Sequence, residues 1–188
     1  MKPMSIQGSW DDGYVMDMYT ICSKYIGEDD FGHPRFDTVY TEIGQLVHDM
    51  KYNGHFDTSG EIAELCTPFL REWLEGKNVD VILPSPPTRN RSIQPVFMIC
   101  EALSKKLSIP FSSVILKKIT TVQSKDLPRD AKDLSGSIRK LKPAKRKCNI
   151  LVIDDIYSTG ATANECVSVL KSDVLIDKVY YLAIVKTK

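Results

Sequence analysis

The sequence predicts an α/β protein: a parallel sheet with helices on both faces over residues 79–188, preceded by an α+β segment over residues 1–78. Three observations carry this expectation. Four apolar runs, VDVILP (79–84), FSSVILKKI (111–119), CNILVIDD (148–155) and KVYYLAIV (178–185), are continuous rather than alternating, as strands covered on both faces are. Helix-spaced stretches join most of them. The third run ends in two carboxylates and a turn of small residues, the form of a strand that feeds a helix across a ligand site.

Along the first segment, residues 13–20 (GYVMDMYT) and 36–41 (FDTVYT) are short β-branched or aromatic runs that read as antiparallel strands. Residues 41–52 place Ile43, Leu46, Val47 and Met50 at helical spacing. A second helix is expected from Thr58 as N-cap, with Glu61 completing a capping box and an interruption or restart near Pro68. After the strand at 79–84 comes SPPTRNRS, then an amphipathic helix carrying Val96, Ile99, Cys100, Leu103 and Leu107. Only the connection from 120 to 147 lacks a helical pattern. It is polar, basic and marked by Pro128, Gly136 and Pro143, and reads as a mobile lid over residues 120–136. A helix over 161–171 and the strand at 178–185 complete the chain.

The chain has 188 residues, 43% of them hydrophobic and 26% charged, which excludes disordered and low-complexity classes. No run approaches a membrane span, and the opening MKPMSIQGSWDDGY has no apolar signal core. Cysteines at 22, 66, 100, 148 and 166 form no zinc-type pair and fit the reduced thiols of a cytoplasmic protein. His33, His48 and His55 make no metal-ligand pattern with them. The net charge of +1 is unevenly spread: residues 1–78 carry 6 basic and 14 acidic side chains, residues 117–147 carry 11 basic and three acidic. Such a positive segment reads either as a solvated loop or as a local anion contact. Nucleic acid is expected to bind there only weakly and salt-sensitively, because no aromatic residue lies between 117 and 147 to stack bases.

The chemistry-bearing stretch is ILVIDDIYSTGATANECVSVLK, residues 150–171. Ser158, Thr159, Gly160, Ala161 and Thr162 open a helix, where unpaired backbone N–H groups and hydroxyls can surround a phosphate. Asp154 and Asp155 cannot bind phosphate and need donors or a cation; vicinal sugar hydroxyls or Mg²⁺ would serve. Together these parts describe a site for a sugar phosphate. The stretch is neither a P-loop nor a G-x-G-x-x-G fingerprint.

IDDIYSTGAT resembles the phosphoribosyl pyrophosphate (PRPP) motif of type I phosphoribosyltransferases. VDVILPSPPTRNRS and LKKITTVQSKDLPRDAKDL resemble the pyrophosphate loop and flexible loop of the ComF-type competence-protein branch. The resemblance covers residues 79–185 and implies a type I phosphoribosyltransferase-like core over 79–188 beneath an N-terminal hood over 1–78. It implies PRPP and Mg²⁺, with Asp154 and Asp155 on the ribose hydroxyls directly or through the metal, and residues 158–162 on the 5′-phosphate. Ser85, Pro86, Pro87 and Thr88 would form the pyrophosphate loop, where a strained or cis peptide is expected. Arg89, Arg91, Lys117 and Lys118 would supply cations, Lys118 in a catalytic role. Trp10, Tyr14, Tyr19 and Phe36 would contribute to the hood over an unidentified acceptor.

The chain departs from the branch in lacking a four-cysteine zinc module, and in reading Arg91-Ser92-Ile93-Gln94 after the pyrophosphate loop. Ser158 stands where purine-salvage members carry a base-contacting aspartate, which disfavours hypoxanthine–guanine salvage. The expected reaction is displacement of pyrophosphate at the anomeric carbon. The rival expectation is a PRPP-binding or nucleic-acid-associated, competence-like regulator without turnover. A homodimer is left open as a further partner.

Overall fold

The computed structural model describes residues 1–87, 91–119 and 136–187. Its centre is a five-stranded sheet in the order β1-β2-β9-β8-β5. Strands β2 (Asp12–Met18), β9 (Ile176–Lys186), β8 (Cys148–Tyr157) and β5 (Val81–Pro84) run parallel, and the two-residue β1 (Met4–Ser5) closes one edge antiparallel to β2. Alternate side chains of each strand feed opposite layers. Ile82, Leu151, Ile153 and Leu182 join one cluster with α1 (Glu42–His48), α2 (Thr58–Trp73) and α3 (Pro95–Leu107). Leu83, Val152, Tyr181 and Ala183 join the other with α4 (Ala161–Lys171) and the Ile6–Trp10 loop. This is the helix-covered parallel sheet that the continuous apolar runs predict. No helix among the described residues is long and apolar enough to cross a membrane.

The run at 111–119 behaves differently from its expected role as a parallel strand. Only Phe111 makes an isolated parallel bridge, to Ile82. The chain then turns away as β6 (Leu116–Lys118), which pairs antiparallel with β7 (Ile138–Lys140) in a separate ribbon. The Ser112-Ser113 step supplies no apolar side chain for either layer, so the sheet edge ends there. The lid expected over 120–136 lies almost wholly outside the described residues; Gly136 alone is seen, donating its N–H to Glu165 Oε1 at 2.7 Å.

Residues 1–78 contribute more than a cover. β2 is an inner strand of the sheet, antiparallel to the short β1 as expected but parallel to β9, and α1 and α2 pack into the main core. Only β3 (Thr20–Glu28) and β4 (Pro34–Tyr40) stand off as an antiparallel hairpin. Gly44 lets the start of α1 abut the chain: a Cβ there would meet the Tyr19 carbonyl at 2.1 Å. Thr41 caps that helix, its Oγ1 accepting from Gly44 N at 3.0 Å.

Helix α2 runs unbroken through Pro68, against the expected restart. Pro68 is exposed, so the carbonyl it leaves unpaired, on exposed Glu64, is open to water. The buried face of Ile62, Cys66, Leu70 and Trp73 continues across it. The expected capping box is also absent. Asp57 is the N-cap, and the Thr58 hydroxyl donates instead to the carbonyls of His55 (2.8 Å) and Leu46 (3.3 Å).

At the end of the sheet where β8 and β9 begin, Asp173 accepts from Lys140 Nζ, Ala144 N (2.9 Å) and Leu175 N (3.1 Å). These bonds, that from Lys140 first, hold its carboxyl down to about 2. Its stabilisation is therefore present above the unfolded value of about 3.9 and is lost as pH falls through the folded one. Asp173→Asn is expected to lower the urea midpoint at pH 7 and to converge with the parent protein as pH approaches 2.

Candidate functional site

The carboxyl ends of β5 and β8 lie side by side because Pro84 is in register with Ile153, and Ser85 N donates to Ile153 O at 2.7 Å. This places Ser85, Pro86 and Pro87 next to Asp154. Strand β8 continues past both acids to Tyr157, two residues beyond the expected run at 148–155. The acids therefore alternate across the strand instead of sitting side by side. Asp154 follows Val152 toward the α4 face, where it accepts from Tyr181 Oη at 3.0 Å and from Asp155 N at 2.9 Å. Asp155 follows Ile153 toward the α1 face, where Lys51 Nζ lies 2.9 Å from its Oδ2. Burial, and then the neighbouring Asp155, push the Asp154 carboxyl well above the usual carboxylate range.

Two hollows flank the acid pair. A cavity of about 310 Å³ is lined by Ser85, Pro86, Pro87, Arg91, Asp155 and Lys51, among others. A smaller hollow of about 80 Å³ lies against residues 157–163 and Tyr181. Asp154, Ile156 and Thr162 line both. The smaller hollow shows that the Ser158–Thr162 turn is not packed shut. Gly160, with φ +78°, is the N-cap of α4. Its carbonyl accepts from Asn164 N (2.9 Å) and Asn164 Nδ2 (3.1 Å), and Asn164 Oδ1 is in turn held by Ser9 N (2.9 Å) and Ser9 Oγ (2.7 Å). Beneath the turn, Trp10 stacks on Tyr181 at 4.9 Å and meets Tyr157 edge-on at 6.3 Å. The N-terminal loop thus fixes the turn from below.

The arrangement brings together Asp154, Asp155, Ser85, Pro86, Pro87, Arg91 and Thr162 in one cavity, with Ser158, Thr159, Gly160 and Ala161 around its smaller neighbour. Lys117 and Lys118 are on the β6 ribbon and do not line the cavity; Lys117 is exposed, and Lys118 lies close enough to affect the buried Cys166 thiol. Thr88 and Arg89 lie outside the described residues. No peptide bond among the described residues is cis.

The residues expected to form a hood are dispersed. Trp10 is buried under the turn, and Tyr14 packs on Phe69 and Trp73 in the core. Tyr19 meets Tyr40, and only Phe36 sits on the exposed hairpin, against Tyr25. His48 stacks between Tyr40 (4.6 Å) and Tyr52 (5.0 Å). In the basic segment, Lys140 pairs with Asp173 and Arg146 with Asp80, at the end of the sheet away from the cavity.

The acid pair by itself offers no all-protein cage for Mg²⁺, an ion usually held by one or two carboxylates together with substrate phosphates. No group of three His, Cys, Asp or Glu side chains among the described residues could hold a metal, and Asp155 already faces an ammonium group. The two carboxylates on offer are engaged by Lys51 and by Tyr181.

No family model and no curated protein matches the chain. Solved structures do. Adenine phosphoribosyltransferase from Leishmania tarentolae superposes with a TM-score of 0.51 at 10% identity, covering 98% of this chain and 94% of that one. The chain has the type I phosphoribosyltransferase fold. The adenine phosphoribosyltransferase of Leishmania donovani gives a TM-score of 0.49 at 10% identity over 98% of this chain and 86% of that one.

Within this type I phosphoribosyltransferase fold, the sequence reading missed Lys51, Tyr52, Gln94 and Tyr181 as residues lining the site. Gln94 was visible only as part of a departure from the branch pattern. Tyr181 lay inside an apolar strand, where a hydroxyl two places from a predicted sheet neighbour's acid carries no local signal. Lys51 offered a faint one: it is among only six cations in the acidic first 78 residues.

Proposed function

We propose that the protein is a phosphoribosyltransferase that binds PRPP across the acid pair and transfers its ribosyl group to a small acceptor. The observation that supports this most is the shared wall of the two hollows, Asp154, Ile156 and Thr162. A 5′-phosphate fits the smaller hollow at the start of α4, where N–H groups and the positive end of the helix converge. The ribose then lies over the shared wall, its hydroxyls donating to Asp154 and Asp155. Its anomeric carbon faces the larger cavity, with Ser85, Pro86, Pro87 and Arg91 around the pyrophosphate and Tyr52 toward the acceptor. Mg²⁺, where used, is supplied with the pyrophosphate oxygens.

The chain's own residues bind and orient. Arg91 offsets charge on the departing pyrophosphate, and the acids favour the positive charge that grows on the ribosyl ring as the bond to the leaving group lengthens. Lys117 and Lys118 complete the cation set if the β6–β7 ribbon moves toward the cavity on ligand binding. The ComF-type branch remains part of this reading on the strength of the 79–185 motifs. The hood role narrows to the β3–β4 hairpin and Tyr52.

Pyrophosphate release from PRPP over a panel of nitrogenous bases and amines tests the assignment. Turnover with at least one acceptor, lost in Arg91→Ala, is expected. PRPP affinity without release from any acceptor would instead make the protein a binding regulator, and absence of PRPP affinity would overturn the reading.

A further inference from the structure

Asp155 has a counter-ion that comes from more than a hundred residues upstream, Lys51. The Lys51 Nζ–Asp155 Oδ2 distance is 2.9 Å, and the two side chains are only 18% and 16% exposed. Lys51 reaches this point because α1 widens after His48 into a π-helical turn, Asp49–Asn53. The Asp49 carboxylate clamps the turn, accepting from Gln45 Nε2 at 3.0 Å and Asn53 Nδ2 at 2.7 Å, and Gly54 ends it at φ +74°. Met50 anchors the turn in the core at 1% exposure, while Lys51 and Tyr52 line the cavity. Single π-turns of this kind change the direction of side chains and recur at functional sites.

The geometry of the acid pair leaves little for a metal. Asp154 accepts two protein hydrogen bonds, and Asp155 faces an ammonium group. A sugar hydroxyl can donate to the remaining lone pairs while Lys51 stays in place. A divalent cation on Asp155 would sit beside a like charge in a half-buried setting, where screening is weak.

We propose that Lys51 is the resident cation of the acid pair, occupying at Asp155 the place of a free divalent ion and making the site selective for sugar hydroxyls over metal. This rests on the reading of Asp154 and Asp155 as ribose contacts. Lys51 is a positioning residue: it holds the Asp155 carboxylate aimed without becoming a ligand of the reacting atoms.

Binding of Mn²⁺ to the full chain without sugar phosphate, read from the free-ion paramagnetic resonance signal, tests the proposal. The parent protein is expected to bind Mn²⁺ at least tenfold more weakly than Lys51→Gln, and Lys51→Gln/Asp155→Asn to lose that gain. Lys51→Arg is expected to stay as weak as the parent. Equal affinity of parent and Lys51→Gln, or a gain that survives Asp155→Asn, would overturn it. A measurement on the parent alone covers the case in which Lys51→Gln does not fold: Mn²⁺ binding at micromolar concentration, abolished by Asp155→Asn, would also overturn the proposal. Failure of the sugar-phosphate reading is separately visible, as no binding of ribose 5-phosphate to the parent protein.

Discussion

Replacing Gly160 by valine is expected to weaken ribose 5-phosphate and PRPP binding by more than a hundredfold. Gly160 begins α4 at φ +78°, and a Cβ there would meet Tyr157 Oη at 2.5 Å. A side chain in the left-handed region costs about 1–2 kcal/mol, and branching at Cβ adds to that. Tyr157 has no easy retreat, because its ring is wedged against Trp10 and Tyr181. The backbone of the turn must therefore rotate, breaking the two bonds from Asn164 to the Gly160 carbonyl and turning the amides away from the hollow. A loss of about 1–2 kcal/mol lowers the melting temperature of a chain this size by roughly 2–8 °C. Calorimetric titration and a thermal melt measure the two effects. Affinity within threefold of the parent would remove the phosphate from this turn.

Asp154→Asn/Asp155→Asn is expected to abolish PRPP binding, while Asp154→Asn alone leaves the protein at least as stable as the parent at pH 8. The stability effect follows from the raised Asp154 carboxyl, which burial and Asp155 together produce. The unfolded side chain loses its proton near about 3.9. Between that pH and the higher folded value, the native state keeps a proton that the unfolded chain has released, so stability falls as pH rises. Above the folded value the full penalty remains. Asparagine carries none of it, and the Tyr181 hydroxyl can turn to accept from its amide. Urea midpoints of parent and Asp154→Asn should thus agree at pH 4 and favour the variant at pH 8. A variant that is less stable at pH 8 than at pH 4, relative to the parent, would mean that the Asp154 carboxylate is well solvated in the native state.

The parts of this protein legible in its sequence were those dictated by local pattern. Helix α4 follows from the periodicity of Ala163, Cys166, Val167 and Leu170 after a small-residue turn, and the strands at 148–157 and 176–186 from runs too apolar to face water. The elements that differed were settled by tertiary context. Residues 12–18 alternate enough to suit an antiparallel strand, as β2 is toward β1, and only the packing of both layers makes it an inner strand parallel to β9. Pro68 signals a helix break, yet its exposed position lets the buried face of α2 override it. At the site, Asp154 and the Ser158–Thr162 turn carry their chemistry in contiguous sequence. Lys51 does not, since it meets Asp155 only through a π-turn more than a hundred residues away. The β3–β4 hairpin, which leaves Phe31 84% exposed, has no further partner strand among the described residues; its β4 half was legible in the antiparallel run at 36–41, its β3 half was not.

One sugar phosphate is expected to span the turn at 158–162 and the acid pair. A crystal structure of the protein with PRPP tests it most directly. Density for the 5′-phosphate is expected within about 3 Å of the backbone amides of residues 158–162, with the ribose hydroxyls at hydrogen-bond distance from Asp154 and Asp155. Density for PRPP elsewhere on the molecule, or an empty hollow at saturating PRPP, would contradict it.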